Sequence, residues 1–259
     1  RGRAIFAVHT GIINAPILDF LRLVQTNPAY KAGLGEEFDK ILENAAAALA
    51  EHDRQWHDGP GANEGFYIGL DQENACEGKP LPGNRLSAMG WALWYSWKVT
   101  EAEGHGNTVH RDRALALGRY IKNRLTLAPD GAYYWPYWLP LEPVEPGRSK
   151  ESVSGEDTSH AGLTKALLLA LAADGEVMTP DDLVHLGKTV VNGFAHRTDG
   201  ILISQITGQF KLTPAYLGEP ATWLPLAKSV PEVRDRIIAF YLNFRPEPSP
   251  LGIAQLLLP

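Results

Sequence analysis

The sequence predicts an all-α fold, an α/α toroid: an incomplete or trimmed barrel of antiparallel helix pairs with short β-hairpins on one rim. Three observations predict it. Helical periodicity runs through most of the chain. Helices that are apolar nearly all round alternate with amphipathic ones, as an inner ring alternates with an outer one. The polar starts of the apolar helices recur at a near-constant interval: 75 residues from His9 to Asn84, then 76 from Asn84 to His160. A fixed period of paired helices marks a repeat architecture.

The elements follow in order. Ile12 to Thr26 carries Ile13, Ile17, Leu18, Leu21 and Val24 on one face, with Pro28 as a stop. Glu36 to Trp56 sets Phe38, Ile41, Leu42, Ala45 and Leu49 at helical spacing, with acids in the first turn where the helix dipole favours them. Arg85 to Glu103 is apolar on nearly every side, through Met89, Trp91, Leu93, Trp94 and Trp97. Asn107 to Leu125 is amphipathic, with Val109, Ala114, Leu117, Tyr120 and Ile121 inward. Thr158 to Ala173 is apolar again. Thr179-Pro180-Asp181-Asp182 opens the next helix, with Thr179 as N-cap and Pro180 at the first helical position. Weaker helices follow over 221–229 and 231–242. Two stretches are β-prone: Gly131 to Leu139, and Ile201 to Ile206 after the Asp199-Gly200 turn. The loop from His57 to Gly83 is far longer than ordinary connections, and loops of that length in a domain tend to be functional. The rhythm reads as one domain over 1–259.

Composition excludes several classes. The net charge is −6 and no run of five Lys/Arg exists, which argues against nucleic acid as a partner. A polyanionic ligand would need a local cationic cleft. The single cysteine, Cys76, leaves no disulfide framework and no Cys-based zinc site. No apolar stretch reaches the ~20 residues that cross a bilayer, so no membrane role is expected. The chain opens on Arg1-Gly2-Arg3, which reads as a trimmed N-terminus with any targeting segment lost.

The candidate chemistry lies at the helix starts and in the aromatic run. Thr10, Asn84, Asp157 and Thr158 are plausible caps. Capping does not account for His9 beside Thr10, Arg85 beside Asn84, or His160 three residues after Asp157. Tyr133-Tyr134-Trp135-Pro136-Tyr137-Trp138 holds five aromatic rings in six residues, too many for one core. In a strand, Tyr133, Trp135 and Tyr137 face one way and Tyr134 and Trp138 the other. Aromatic faces in a cleft suit the C–H faces of sugars, and Tyr67 can join them from the long loop. His52 and His57 lack a metal-ligand pattern and read as surface residues.

Cleaving a uronic acid chain by β-elimination needs three groups. One neutralises the carboxylate, a base removes the C5 proton, and an acid protonates the leaving O4. Asn84, Arg85, His160, Tyr133 and Tyr137 supply that set with no metal or other cofactor. Tyr137 and His160 are expected in one cleft, with Asn84 or Arg85 holding the carboxylate and Tyr133 or Tyr134 as alternative phenols.

Three segments resemble the α/α-toroid polysaccharide lyases of the alginate and glucuronan type: Val8-His9-Thr10-Gly11-Ile12-Ile13, Leu81 to Gly90, and Glu156-Asp157-Thr158-Ser159-His160-Ala161-Gly162-Leu163. The run Tyr133 to Trp138 resembles their substrate-lining strand. The patches cover about an eighth of the chain and none is a strict signature. The resemblance implies cleavage of a β-1,4-linked polyuronate by Tyr and His without a metal. His9, Tyr67, Tyr134, Trp135, Trp138 and Asp157 are then expected to line the anionic polysaccharide, and the location is expected to be periplasmic or secreted. The chain is shorter than such toroids usually are.

Three other readings remain open. A glycoside hydrolase on the same fold would need two carboxylates about 5–9.5 Å apart, from Asp71, Glu73, Glu156 and Asp157. A sugar epimerase would use His9 or His160 as bases. A non-catalytic carbohydrate-binding protein would need the aromatics alone. Oligomeric state is open.

Overall fold

The chain is mostly helical, with 60 % helix and 8 % strand. The computed structural model describes residues 5–70, 76–145, 147, 149, 153–209 and 219–244. Its contacts divide into two compact units. The first is Arg1–Asn123 with Leu163–Val177, and the second is Arg124–Gly162 with Met178–Pro259.

In the first unit the order is α1 (Ala7–Gln25), α2 (Pro28–Leu34), α3 (Glu36–Ala50), the hairpin β1 (Trp56–Asp58) and β2 (Gly65–Tyr67), α4 (Gly83–Ala102), α5 (Thr108–Lys122) and the later part of α6 (Thr158–Ala173). Helices α1, α4 and α6 run parallel. Gly11 lies against Ala88, and Gln25 Nε2 donates to the Val99 carbonyl at 3.0 Å. Ser87 Oγ donates to the carbonyls of Leu163 and Thr164, and Trp94 Nε1 donates to Asp174 Oδ2 at 3.1 Å. Helices α3 and α5 return antiparallel, shown by Thr10 with His52 and Ser96 with His110. The alternation of apolar and amphipathic helices thus builds antiparallel pairs.

Gly11 marks where two helix backbones meet. A Cβ there would lie 2.3 Å from the Ala88 carbonyl carbon.

The first unit differs from the sequence expectations at several positions. Helix α1 begins at Ala7, so His9 and Thr10 lie inside its first turn and neither caps it. Thr10 Oγ1 instead meets Nε2 of His52 at 2.9 Å, and Gln55 engages the other ring nitrogen. His52 is therefore buried, at 1 % exposure, and is not a surface residue. Asn84 is the second residue of α4 and makes no cap bond. Helix α1 ends at Gln25, before Pro28, and Pro28 also opens α2 behind the Asn27 cap. Val109 faces solvent, as do Ile13 and Ile17, whereas Leu18, Leu21 and Val24 are buried. Helix α1 is, by length and composition alone, long and apolar enough to cross a membrane, contrary to the reading that no stretch is.

The second unit opens with β3 (Thr126–Leu127) paired antiparallel to β4 (Tyr133–Tyr134). The first turns of α6 follow, then α7 (Pro180–Lys188), a π-helical turn Thr189–Phe194, a 3-10 stretch Glu219–Lys228 and α8 (Glu232–Phe244). Thr179 and Asp182 form a reciprocal capping box at α7, as the sequence predicts for that cap. Among the described residues, the stretch Ile201 to Ile206 forms no hairpin. That segment lies beside the approach to α6: Asp157 bridges Gln205, Thr158 N–H donates to the Ser204 carbonyl, and Ile206 N–H donates to the Glu156 carbonyl. The core is aromatic. Trp223 stacks near Trp135 at 6.5 Å between centroids and tilts against Phe194 at 5.1 Å. The π-helical turn breaks at Gly193, where a Cβ would fall 1.9 Å from the Ile206 carbonyl oxygen, so only glycine fits.

Candidate functional site

The second unit assembles one constellation from the predicted residues. Asp157 stands just before α6. Its Oδ1 accepts from the backbone N–H groups of Ser159 and His160, both at 3.1 Å, the bonding pattern of an N-cap. Its Oδ2 holds Nδ1 of His160. One carboxylate therefore fixes both the helix start and the imidazole. Burial works to raise the Asp157 carboxyl, but the hydrogen bonds from the His160 ring and from the two amides outweigh it and hold it below its ordinary value. Asp157 is thus an anion at neutral pH, and it engages the Nδ1 side of the imidazole.

Tyr137 completes the group. Its ring stands edge-on to His160, with centroids 5.1 Å apart. Trp138 packs edge-on against Tyr137 at 5.6 Å and is 43 % exposed, so it offers an aromatic face beside the pair. A carboxylate-oriented imidazole, a phenol and an exposed indole make a group with the chemistry of proton transfer.

The other aromatics of the run behave differently. Regular strand covers only Tyr133 and Tyr134, and the expected alternation fails beyond them. Tyr134 and Trp135 are both fully buried. Tyr134 donates its hydroxyl to Asp130 at 2.9 Å, and Trp135 donates Nε1 to Glu156 at 2.6 Å. Their faces are spent on the core, which corrects the expectation that they line a sugar. Tyr133 is half-buried, and its hydroxyl donates to Asp182 Oδ1 at 2.6 Å. Burial first, then the Asp182 carboxylate, raise its phenol above the ordinary range. Its proton is committed to α7's cap and is poorly placed for exchange.

The remaining predicted residues belong to the first unit. Asn84 is buried in the first turn of α4, and its Oδ1 has no hydrogen-bond partner. Arg85 is half-buried, with one guanidinium nitrogen 3.5 Å from Cys76 Sγ. His9 is exposed and packs edge-on to Phe6. Tyr67 is fully buried, edge-on to Trp56, and burial raises its phenol strongly. It is a core residue, not a sugar platform. Of the hydrolase candidates, Asp71 and Glu73 lie outside the described residues. Glu156 is fully buried on Trp135, and Asp157 is occupied by His160.

One residue near the constellation escaped the sequence reading. Gln205 lies in register with Asp157, and its buried Oε1 has no hydrogen-bond partner. Reading 201–206 as a separate hairpin hid that placement. Among the described residues, no group of three or more His, Cys, Asp or Glu is arranged to hold a metal ion. Compared with protein-family models, with curated proteins and with solved structures, the chain matches none.

Proposed function

We propose that this chain is a polysaccharide lyase, an α/α toroid that cleaves a β-1,4-linked polyuronate of the glucuronan or alginate type by metal-independent β-elimination. The observation that carries the reading is the Tyr137–His160–Asp157 group. Asp157 orients the imidazole and balances the charge it takes up. The base removes the C5 proton of the uronate. The C4–O4 bond breaks as the C4–C5 double bond forms, and the phenol delivers its proton to O4. Tyr137 and His160 divide these two roles. Trp138 supplies a face for an adjacent sugar. The resemblance of the segments around His9, Asn84 and His160 to toroid lyases points the same way, and a periplasmic or secreted location goes with an extracellular polymer.

A hydrolase is less well supported. Of its four candidate carboxylates, Glu156 is buried on an indole and Asp157 is engaged by three donors, while Asp71 and Glu73 lie outside the described residues. The test is incubation with a panel of polyuronates while the near-ultraviolet absorbance of unsaturated products is followed. Rising absorbance on at least one polyuronate supports the reading. Shortened chains without that absorbance, or unchanged polymers throughout, count against it.

A further inference from the structure

Helix α1 buries one side against α3 and α4 and leaves the other to solvent. Its exposed residues beyond His9 are Ile12, Ile13, Pro16, Ile17, Phe20 and Leu23. All six are apolar. They recur every three or four residues, so they form one continuous stripe. Ile13, Phe20 and Leu23 are 57 %, 52 % and 51 % exposed. In the parallel row α1–α4–α6, α1 is an outer member. The outer helix of such a stack ordinarily carries a polar face.

We propose that this stripe is a homodimer interface, packed on the same stripe of a second copy about a two-fold axis. A two-fold interface must be complementary to itself. A stripe without charge meets that condition, because self-pairing sets no like charges opposite one another. The flanking charges Asp19 and Arg22 already pair with each other at 2.7 Å. The area also fits. The six side chains expose on the order of 600 Å², so two copies would bury about 1,200 Å², the lower bound for a stable specific interface. A lipid surface suits the stripe less well. Helices that lie on membranes carry several Lys or Arg along the polar border, and among the described residues the arginine that flanks the stripe, Arg22, is paired with Asp19.

The test is the solution mass of the 259-residue chain at micromolar concentration, beside the variant Ile13→Glu/Phe20→Glu. The wild type is expected at twice 28.4 kDa and the variant at 28.4 kDa, with the same helical circular dichroism. Independently, Ile17→Cys should form a cross-linked dimer under mild oxidation, without background from the buried Cys76. A wild type that stays monomeric, a variant of unchanged helicity that stays dimeric, or an Ile17→Cys chain that does not cross-link would overturn the proposal. So would a monomer that partitions onto phosphatidylcholine–phosphatidylglycerol vesicles.

Discussion

The ring of Tyr137 stands edge-on to the imidazole of His160, with planes crossing at 74°. The two residues come from different segments, 23 positions apart, and only the fold brings them together. Tyr137→Phe removes the hydroxyl and keeps the ring contact. Turnover on a polyuronate should fall by ~10²-fold or more, the usual worth of a positioned acid or base, while the helical circular dichroism is unchanged. His160→Ala should lose turnover as well. Tyr133→Phe should do the opposite. It deletes the bond to Asp182, lowering stability by about 1 kcal/mol, and leaves turnover near the wild-type rate. Measured rates and melting curves for the three variants decide which phenol acts.

Asp157→Asn separates capping from catalysis. The amide oxygen can still accept from Ser159 and His160, so stability should change little. The negative charge facing His160 Nδ1 is lost, and turnover should fall by about 10-fold or more, because the carboxylate no longer orients and balances the imidazole. An unchanged rate would reduce Asp157 to a cap.

Gly11→Ala sets two effects against each other. Alanine in a helix interior is favoured over glycine by about 1 kcal/mol. Here the new Cβ meets Ala88 backbone atoms at 2.3–2.6 Å, and backbone does not give way cheaply. The clash should win, with a net loss of about 1–3 kcal/mol in denaturant unfolding. A stabilised variant would show that α1 and α4 are not so close.

His110 gives the fold a pH dependence. Burial first, and then the Arg113 cation, lower its imidazole from 6.5 to about 4. The unfolded chain therefore takes up a proton near pH 6.5, while the folded chain resists until about pH 4. Stability is full above that window and falls as the pH drops through it, by on the order of 3 kcal/mol at most. Urea midpoints at several pH values should trace this decline, and His110→Gln should flatten it.

The sequence is legible where a local rule acts alone. Thr179-Pro180 and the acids after it specify the start of α7, and apolar periodicity finds α3 through α6. It misleads where burial depends on what lies opposite. Ile13 and Ile17 share helical spacing with Leu18 and Leu21, yet only the latter pair faces a neighbour. His52 reads as a surface residue because its partner, Thr10, is 42 positions away. The aromatic run is legible as unusual, but not in its division of labour. Tyr134 and Trp135 are claimed by Asp130 and Glu156, which leaves Tyr137 and Trp138 beside His160. The Gln205 position follows from a bridge to Asp157 that no local pattern announces.

The most direct test of the proposed reaction is the fate of water oxygen. β-Elimination breaks the C4–O4 bond without adding water, whereas hydrolysis adds one water per cut. Cleaving the best polyuronate in water enriched in heavy oxygen, and weighing the oligosaccharides by mass spectrometry, distinguishes the two. β-Elimination by this chain yields chains that end in an unsaturated uronate, one water lighter than the hydrolytic product and free of solvent oxygen at the cut. Saturated products that carry the label, or no cleavage of any polyuronate, would contradict it.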